Sequence, residues 1–217
     1  MTASTERRGG NTRERILGVA EQEFATSGYA GAHLQQIASQ IGVQKTALYY
    51  YFPSKAALYE AVLLRMLDTF DACVKDAIAG DDSPPERLAR LLDALNDLFV
   101  LERNYSRILL RLFTDQAPLE ADVVGPPVQI VVGRVIDFYK AGVDSGHFVR
   151  QSSRHVFQSM LGALLFHYAS LGFGSAVVGV DDIFSSEAAA WRGLEARRML
   201  LRAMLIDTPR LSGDPTS

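Results

Sequence analysis

The sequence predicts an all-α protein, with a small head of three helices followed by a larger helical body. Three observations predict it. Apolar residues recur at spacings of three and four along most of the chain, the period of a helix face. Proline and glycine fall at the boundaries of those stretches. No alternating apolar and polar run longer than a few residues offers a strand.

The elements follow in order. Asn11-Thr12 is a cap for a first helix whose inward stripe is Ile16, Leu17, Ala20, Phe24 and Ala25, stopped by Ser27-Gly28. A short second helix carries Leu34, Ile37, Ala38 and Ile41 on one side and ends at Gly42. The third lies in GVQKTALYYYFPSK and stops at Pro53. Ser54 then caps a long fourth helix to about Ile78. Gly80 to Pro85 is a turn. Helices are expected at about 85–103 and 105–115, with breaks at Gln116-Ala117-Pro118 and Gly125-Pro126-Pro127. The next runs from about 127 to 144 and ends at Ser145-Gly146, and another spans about 152–171. Gly172 to Asp182 reads as a loop, with a short extended piece at Val177 to Val180. A last helix covers about 184–207, and the tail PRLSGDPTS is expected to fray.

Composition bounds the function classes. With 217 residues, 48% hydrophobic and 22% charged, the chain has an ordinary globular balance and is long enough for a sizeable core. A net charge of −3 decides nothing about nucleic acid, because such footprints are local. Cys73 is the single cysteine, so an internal disulfide or a cysteine-based zinc site is excluded, and a reducing cytoplasm fits. The start, MTASTERRGGNTRER, has no apolar run of the kind a secretory signal needs. Met160 to Val180 lacks Asp, Glu, Lys and Arg over about the length of a membrane span. Its His167, Ser170 and several glycines favour a buried core or a subunit interface instead.

Four adjacent aromatics, Tyr49, Tyr50, Tyr51 and Phe52, cannot all face one core, since successive helical residues turn by about 100°. Long helix, short helix, glycine turn and short helix is the layout of a helix-turn-helix, whose second helix enters the major groove. In that frame Leu48 and Phe52, four apart, face inward and Tyr51 is half-buried. Gln44, Lys45, Thr46, Ala47, Tyr49 and Tyr50 are left outside. A tyrosine has a flat apolar body and a hydroxyl tip, suited to a sugar edge and a phosphate oxygen. Lys55, at the start of the fourth helix, adds charge to free N–H groups. Arg7, Arg8, Arg13 and Arg15 make a basic arm, whereas the rest of the chain is net acidic.

The chain resembles the TetR family of transcriptional repressors over about residues 12–62. Ile16-Leu17, Ala20, Phe24-Ala25, Gly28-Tyr29, Ile37-Ala38, Gly42-Val43, Lys45, Leu48-Tyr49, Phe52, Ser54-Lys55 and Leu58 carry the resemblance. It implies that Lys45, Tyr49 and Lys55 contact phosphates, that Gln44, Thr46, Ala47 and Tyr50 face base edges, and that Gln35 reaches the backbone or a base. The chain departs from the family pattern at Ala32-His33, Gln44, Thr46-Ala47 and Tyr50-Tyr51, which leaves the base contacts open.

The resemblance also implies two domains: residues 1–60 for DNA and 61–217 for an effector and dimerisation. The effector pocket would draw on Phe99, Tyr105, Leu109, Leu112, Phe113, Phe138, Tyr139, Phe157, Leu161, Leu164, His167 and Tyr168. Arg111, Asp115 and Gln116 would serve as further polar handles, and Arg111 also stands one helical turn before Asp115. The last two helices would form a bundle across a two-fold axis through Met160, Ala163, Leu164, His167, Trp191, Leu194, Met199, Leu201 and Leu205. The expected function is a dimeric repressor that binds a near-palindromic double-stranded operator and is released by a small apolar or aromatic effector. The alternative is a helical small-molecule- or partner-binding protein without sequence-specific DNA reading. Retention of Lys45, Tyr49 and Lys55 favours the first.

No enzyme, cofactor, metal or membrane association is expected. The chain has no G-x-S-x-G, H-E-x-x-H, P-loop or G-x-G-x-x-G motif. His33, His147, His155 and His167 share no metal spacing with carboxylates on one helix.

Overall fold

The computed structural model describes residues 2–115 and 117–206, with side chains from residue 12 onward. Gln116, the tail from Pro209 and the side chains of Arg7, Arg8 and Asn11 lie outside the described residues. Among these residues the regular elements are helices: α1 (Thr2–Gly31), α2 (Leu34–Ile41), α3 (Lys45–Tyr51), α4 (Lys55–Ile78), α5 (Pro84–Leu101), α6 (Arg103–Thr114), α7 (Ala121–Asp144), α8 (Ser153–Ala169), α9 (Leu171–Val178) and α10 (Ser186–Met204). By packing the chain forms two compact units, Met1–Phe70 with Glu102–Gln129, and Asp71–Leu101 with Ile130–Ser217.

In the first unit α1 packs on α2 and α6, and α2 on α3. The stripe Ile16, Leu17, Ala20, Phe24 and Ala25 is buried, as the spacing predicts, together with Ile37, Ala38, Ile41, Leu48 and Phe52. Gly42 closes α2 in the left-handed region, at φ 74° and ψ 32°, where glycine carries no Cβ penalty. Gly28 breaks α1 at φ 70°, and a Cβ there would lie 2.6 Å from Arg111 Nη1. Arg111 donates from Nε and Nη2 to the carbonyls of Ala25 and Thr26, at 3.2 and 2.8 Å, which the break leaves without helical partners. Its expected partner Asp115 lies 3.8 Å from Nη1. Ser54 caps α4 as predicted, its Oγ accepting from Ala57 N–H at 3.0 Å.

In the second unit α10 packs on α5 and α8, α5 on α8, and α8 on α9. Asn96 is buried here and fully used. Tyr168 donates to its Oδ1 at 2.7 Å, and its Nδ2 donates to Ala189 O at 3.3 Å. Gly193 stands where a Cβ would come within 3.0 Å of Asn96, so glycine lets α10 approach α5. Ser83 and Glu86 start α5: the Ser83 N–H and hydroxyl donate to Glu86 Oε2 at 2.9 and 2.6 Å.

Several elements differ from the sequence reading. α1 is already helical from Thr2, so Asn11-Thr12 lies inside it. No residue in that stretch lacks a backbone N–H, so the ladder continues. α7 starts at Ala121 and runs through Gly125-Pro126-Pro127. Proline's fixed φ suits a helix, and the N–H groups it lacks would have served Asp122 and Val123, near the exposed start of α7. The loop expected at Gly172 to Asp182 begins as the helix α9, which ends at Gly179 with φ 73°. Gly174 allows this, because a Cβ there would overlap Ser170 Oγ at the end of α8. The expected extended piece at Val177 is therefore helical. Among the described residues no single helix is long and apolar enough to cross a membrane. α8 and α9 pass that test only as a pair, and they are bent by 97°.

Candidate nucleic-acid interface

The aromatic run divides as helical geometry requires. Leu48 and Phe52 are 1% and 5% exposed, whereas Tyr49 and Tyr50 are 44% and 84% exposed. Tyr51 is half-buried and meets Tyr50 edge-on at 5.1 Å. Gln35 on α2, and Gln44, Lys45 and Thr46 at the start of α3, are exposed, and Ala47 is half-buried. Gln44 occupies the N-cap position of α3 without a side-chain capping bond, so its amide is not used there. His33 holds the same position on α2, also without a side-chain bond.

The two lysines differ. Lys45 Nζ lies 5.9 Å from the Tyr49 ring centre, and among the described residues it has no ion pair. Lys55 Nζ donates to Ala30 O at 3.1 Å and sits 4.9 Å from the Tyr29 ring centre. Burial holds its pKa below the ordinary lysine value, and Glu23 opposes that shift. The positive end of a helix disfavours a cation beside it; here the Lys55 ammonium turns to the carbonyl end of α1, where negative partial charge gathers. Lys55→Ala is therefore expected to lower stability by about 1 kcal/mol. Lys45→Ala should leave the thermal midpoint unchanged, and melting the two variants side by side checks both.

Two of the arginines expected in the basic arm, Arg13 and Arg15, also serve the head. Arg13 lies 5.2 Å over the Phe52 ring, and Arg15 donates to Ile41 O at 3.1 Å. They tie α1 to the ends of α3 and α2. Arg65 on α4 pairs with Glu21 at 2.6 Å, and Asn104 on α6 donates to the other oxygen of Glu21 at 2.9 Å.

The residues expected to line one effector pocket are distributed over both units. In the first, Tyr105 and Leu109 are buried and the Tyr105 hydroxyl lies 3.3 Å from Thr69 Oγ1. Leu112 is half-buried, and Phe113, at 62% exposed, lies on the outside. In the second, Phe99 and Tyr168 stack at 6.0 Å in the core. Burial pushes the Tyr168 hydroxyl up to about 12. Tyr139 donates to Val149 O at 2.8 Å and packs on Phe148. Phe157 and Leu161 are half-buried and Leu164 is buried.

Two openings are lined by members of that set. Phe138 borders a cleft of about 360 Å³ with Arg87 and Arg134. His167 borders a cavity of about 690 Å³ with Val178, Val180, Asp181, Trp191 and Arg192. Arg192 was missed by the sequence reading; a lone charge amid AAAWRGL was the available signal. Burial, and then the Arg192 charge, hold the His167 pKa down to about 4, against 6.5 ordinarily. A histidine depressed in the folded state takes up a proton more readily when unfolded. Its contribution is complete above about pH 6.5 and is lost as the pH falls towards 4. His167→Gln is expected to flatten the stability profile across that window, as read by denaturant titration at several pH values.

An exposed short helix bearing tyrosines and a lysine, set by a glycine turn against a partner helix anchored by buried Ile37, Ala38 and Ile41, defines a helix-turn-helix of the DNA-binding kind. Residues 16–62 match the family described as bacterial regulatory proteins, tetR family. The HTH-type transcriptional regulator RutR of Escherichia coli (strain K12) is 32% identical over 182 residues, covering 81% of this chain and 84% of that one. The HTH-type transcriptional regulator TtgR of Pseudomonas putida is 33% identical over 110 residues, covering 50% and 52%. Among solved structures, the ketosteroid transcriptional regulator KstR2 of Mycobacterium tuberculosis has the same fold. Its TM-score is 0.70 at 18% identity, covering 90% of this chain and 96% of that one. The chain belongs to the TetR family of bacterial transcriptional regulators. It is a DNA-binding transcriptional regulator and not an enzyme.

Proposed function

We propose that the protein is a repressor that binds a near-palindromic operator as a homodimer and leaves it when a small, largely apolar effector binds the body. The division of labour is residues 1–60 for DNA and 61–217 for effector and dimer, and the protein acts in the cytoplasm, where its operator is. The observation that carries this reading is the exposed face of α3, with Lys45, Tyr49 and Tyr50 outward over an anchored Leu48 and Phe52. Lys45, Tyr49 and Lys55 contact phosphates; Gln44, Thr46, Ala47 and Tyr50 face base edges, with Gln35 beside them. Two heads related by a two-fold axis read half-sites one helical turn or more apart. An effector that favours a different separation of the heads withdraws them from successive major grooves.

The dimer face is supported by exposed apolar side chains on the last helices: Phe166, Phe173, Val177, Trp191 and Met199 are all more than half exposed. Of the seam expected from sequence, Met160, Leu164, His167, Leu201 and Leu205 are buried within their own chain, Ala163 and Leu194 are half-buried, and Trp191 and Met199 are exposed. Helical spacing marks a second apolar side but not which side a neighbour in the same chain already covers.

Selection of bound duplexes from a random pool, followed by titration of the winner at several salt concentrations, tests the reading. A near-palindromic winner with steep salt dependence is expected. A protein that enriches no duplex above non-specific background is not a repressor of this kind.

A further inference from the structure

The cleft bordered by Phe138 holds a cation that the chain itself does not neutralise. It lies in the second unit, among the end of α4, the start of α5 and the last turns of α7. Its volume of about 360 Å³ is at the small end for a ligand pocket. Arg87, near the start of α5, lines it and is half-buried. Its Nε donates to Ile78 O at 2.6 Å, and its guanidinium lies 5.3 Å over the Phe138 ring centre. Those two contacts hold the group in one place. Its terminal groups, Nη1 and Nη2, have no partner among the described residues, and neither is a buried atom.

Neighbouring arginines are paired. Arg90 meets Asp82 at 2.6 Å, and Arg134, which also lines the cleft, meets Asp71 through Nε and Nη2 at 2.8 and 3.1 Å. Glu86 is taken by Ser83. No Asp or Glu is among the described residues that line the cleft, so the charge of Arg87 is left without a counter-ion there. A fixed guanidinium with two open Nη groups is a planar fork, and it matches the two oxygens of a carboxylate. Ile78, Pro84, Phe138 and Ala141 supply apolar wall beside it, which a bare inorganic anion would not use.

We propose that this cleft binds a small organic carboxylate. Its two oxygens accept from Nη1 and Nη2 of Arg87, and a short apolar body lies against Ile78, Pro84 and Phe138. The proposal rests on the reading of the body as the ligand-binding part of the regulator, and it names the ligand class.

The full-length protein is titrated calorimetrically with hexanoate and 3-phenylpropionate. Each is compared with its matched amide, hexanamide or 3-phenylpropanamide, and with inorganic phosphate. Saturable binding of at least one acid is expected, with its amide about tenfold weaker, because hydrogen bonds between charged groups are the stronger kind. Phosphate, which lacks the apolar body, should also bind more weakly. Arg87→Gln should remove the preference for acid over amide. Arg87 also ties α5 to the end of α4, so a second variant separates binding from folding. Ala141→Glu, at an exposed helical position lining the same cleft, supplies the missing counter-charge. It should weaken acid binding at least about tenfold while the protein stays folded. No saturable binding of either acid at millimolar concentration overturns the proposal. So does an acid bound no better than its amide or than phosphate, or an Ala141→Glu protein that binds like the parent. The same acids are added to the complex with the selected duplex. A protein that is released from its operator by an uncharged apolar compound and binds neither acid loses this site but keeps its regulatory reading. Acid binding that Ala141→Glu removes, in a protein that selects no duplex, keeps the site and overturns the regulatory reading.

Discussion

Gly142→Ala is expected to destabilise the protein by about 3 kcal/mol, the upper end of what overpacking a core costs. A Cβ at Gly142 would overlap the ring of Phe148, which is 1% exposed. That ring cannot move aside cheaply. It packs on Phe138 at 5.7 Å and on Tyr139 at 5.3 Å. Its backbone is pinned by a bridge to Leu205, with Val149 N donating to Met204 O at 2.8 Å and Ile206 N to His147 O at 3.2 Å. Displacing Phe148 therefore loosens the end of α10 as well. For a chain of this size the thermal midpoint should fall by roughly 10 °C. Gly133→Ala, also on α7 but with nothing within 4 Å of the added carbon, is the control and should be neutral or slightly stabilising. A Gly142→Ala protein that melts with the parent would show that the ring has another seat.

Lys45→Ala is expected to weaken operator binding about ten- to hundredfold and to reduce the slope of log affinity against log salt by about one. The loss should be nearly equal on all duplexes, because a phosphate contact carries no sequence information. Tyr50→Ala makes the contrast. At 84% exposed it contributes little to folding, so its removal should leave the melt unchanged. If it faces a base edge, discrimination at one position of each half-site should fall by about 1–3 kcal/mol while the salt slope holds. Equal weakening on every sequence by Tyr50→Ala would move it from the base-reading to the backbone-contacting group. An unchanged salt slope in Lys45→Ala would remove Lys45 from the phosphate contacts.

Much of the head was legible before any coordinates. A helix turns its side chains by a constant angle, so Leu48 and Phe52 had to share a side and Tyr49 and Tyr50 had to leave it. Gly42 and Ser54 announce a left-handed cap and an N-cap through their own backbone and hydroxyl chemistry, with no help from distant residues. The body was less legible. Pro126 and Pro127 read as a break, and Gly172 and Gly174 as a loop. Both signals are propensities, and packing or solvent access can override a propensity.

What the sequence determined by itself is therefore whatever depends on neighbours along the chain: the helical class, the helix-turn-helix pattern and the direction of each side chain about its own helix. The tertiary structure decided which apolar sides are already covered, leaving Trp191 and Phe166 outside and Met160 and Leu201 within. It also decided that one N–H of the Lys55 ammonium meets the carbonyl of Ala30, 25 residues away. It brought His167 and Arg192 to one cavity from different helices. Such pairings depend on how helices pack, and helical periodicity gives a side chain's bearing but not what stands opposite it.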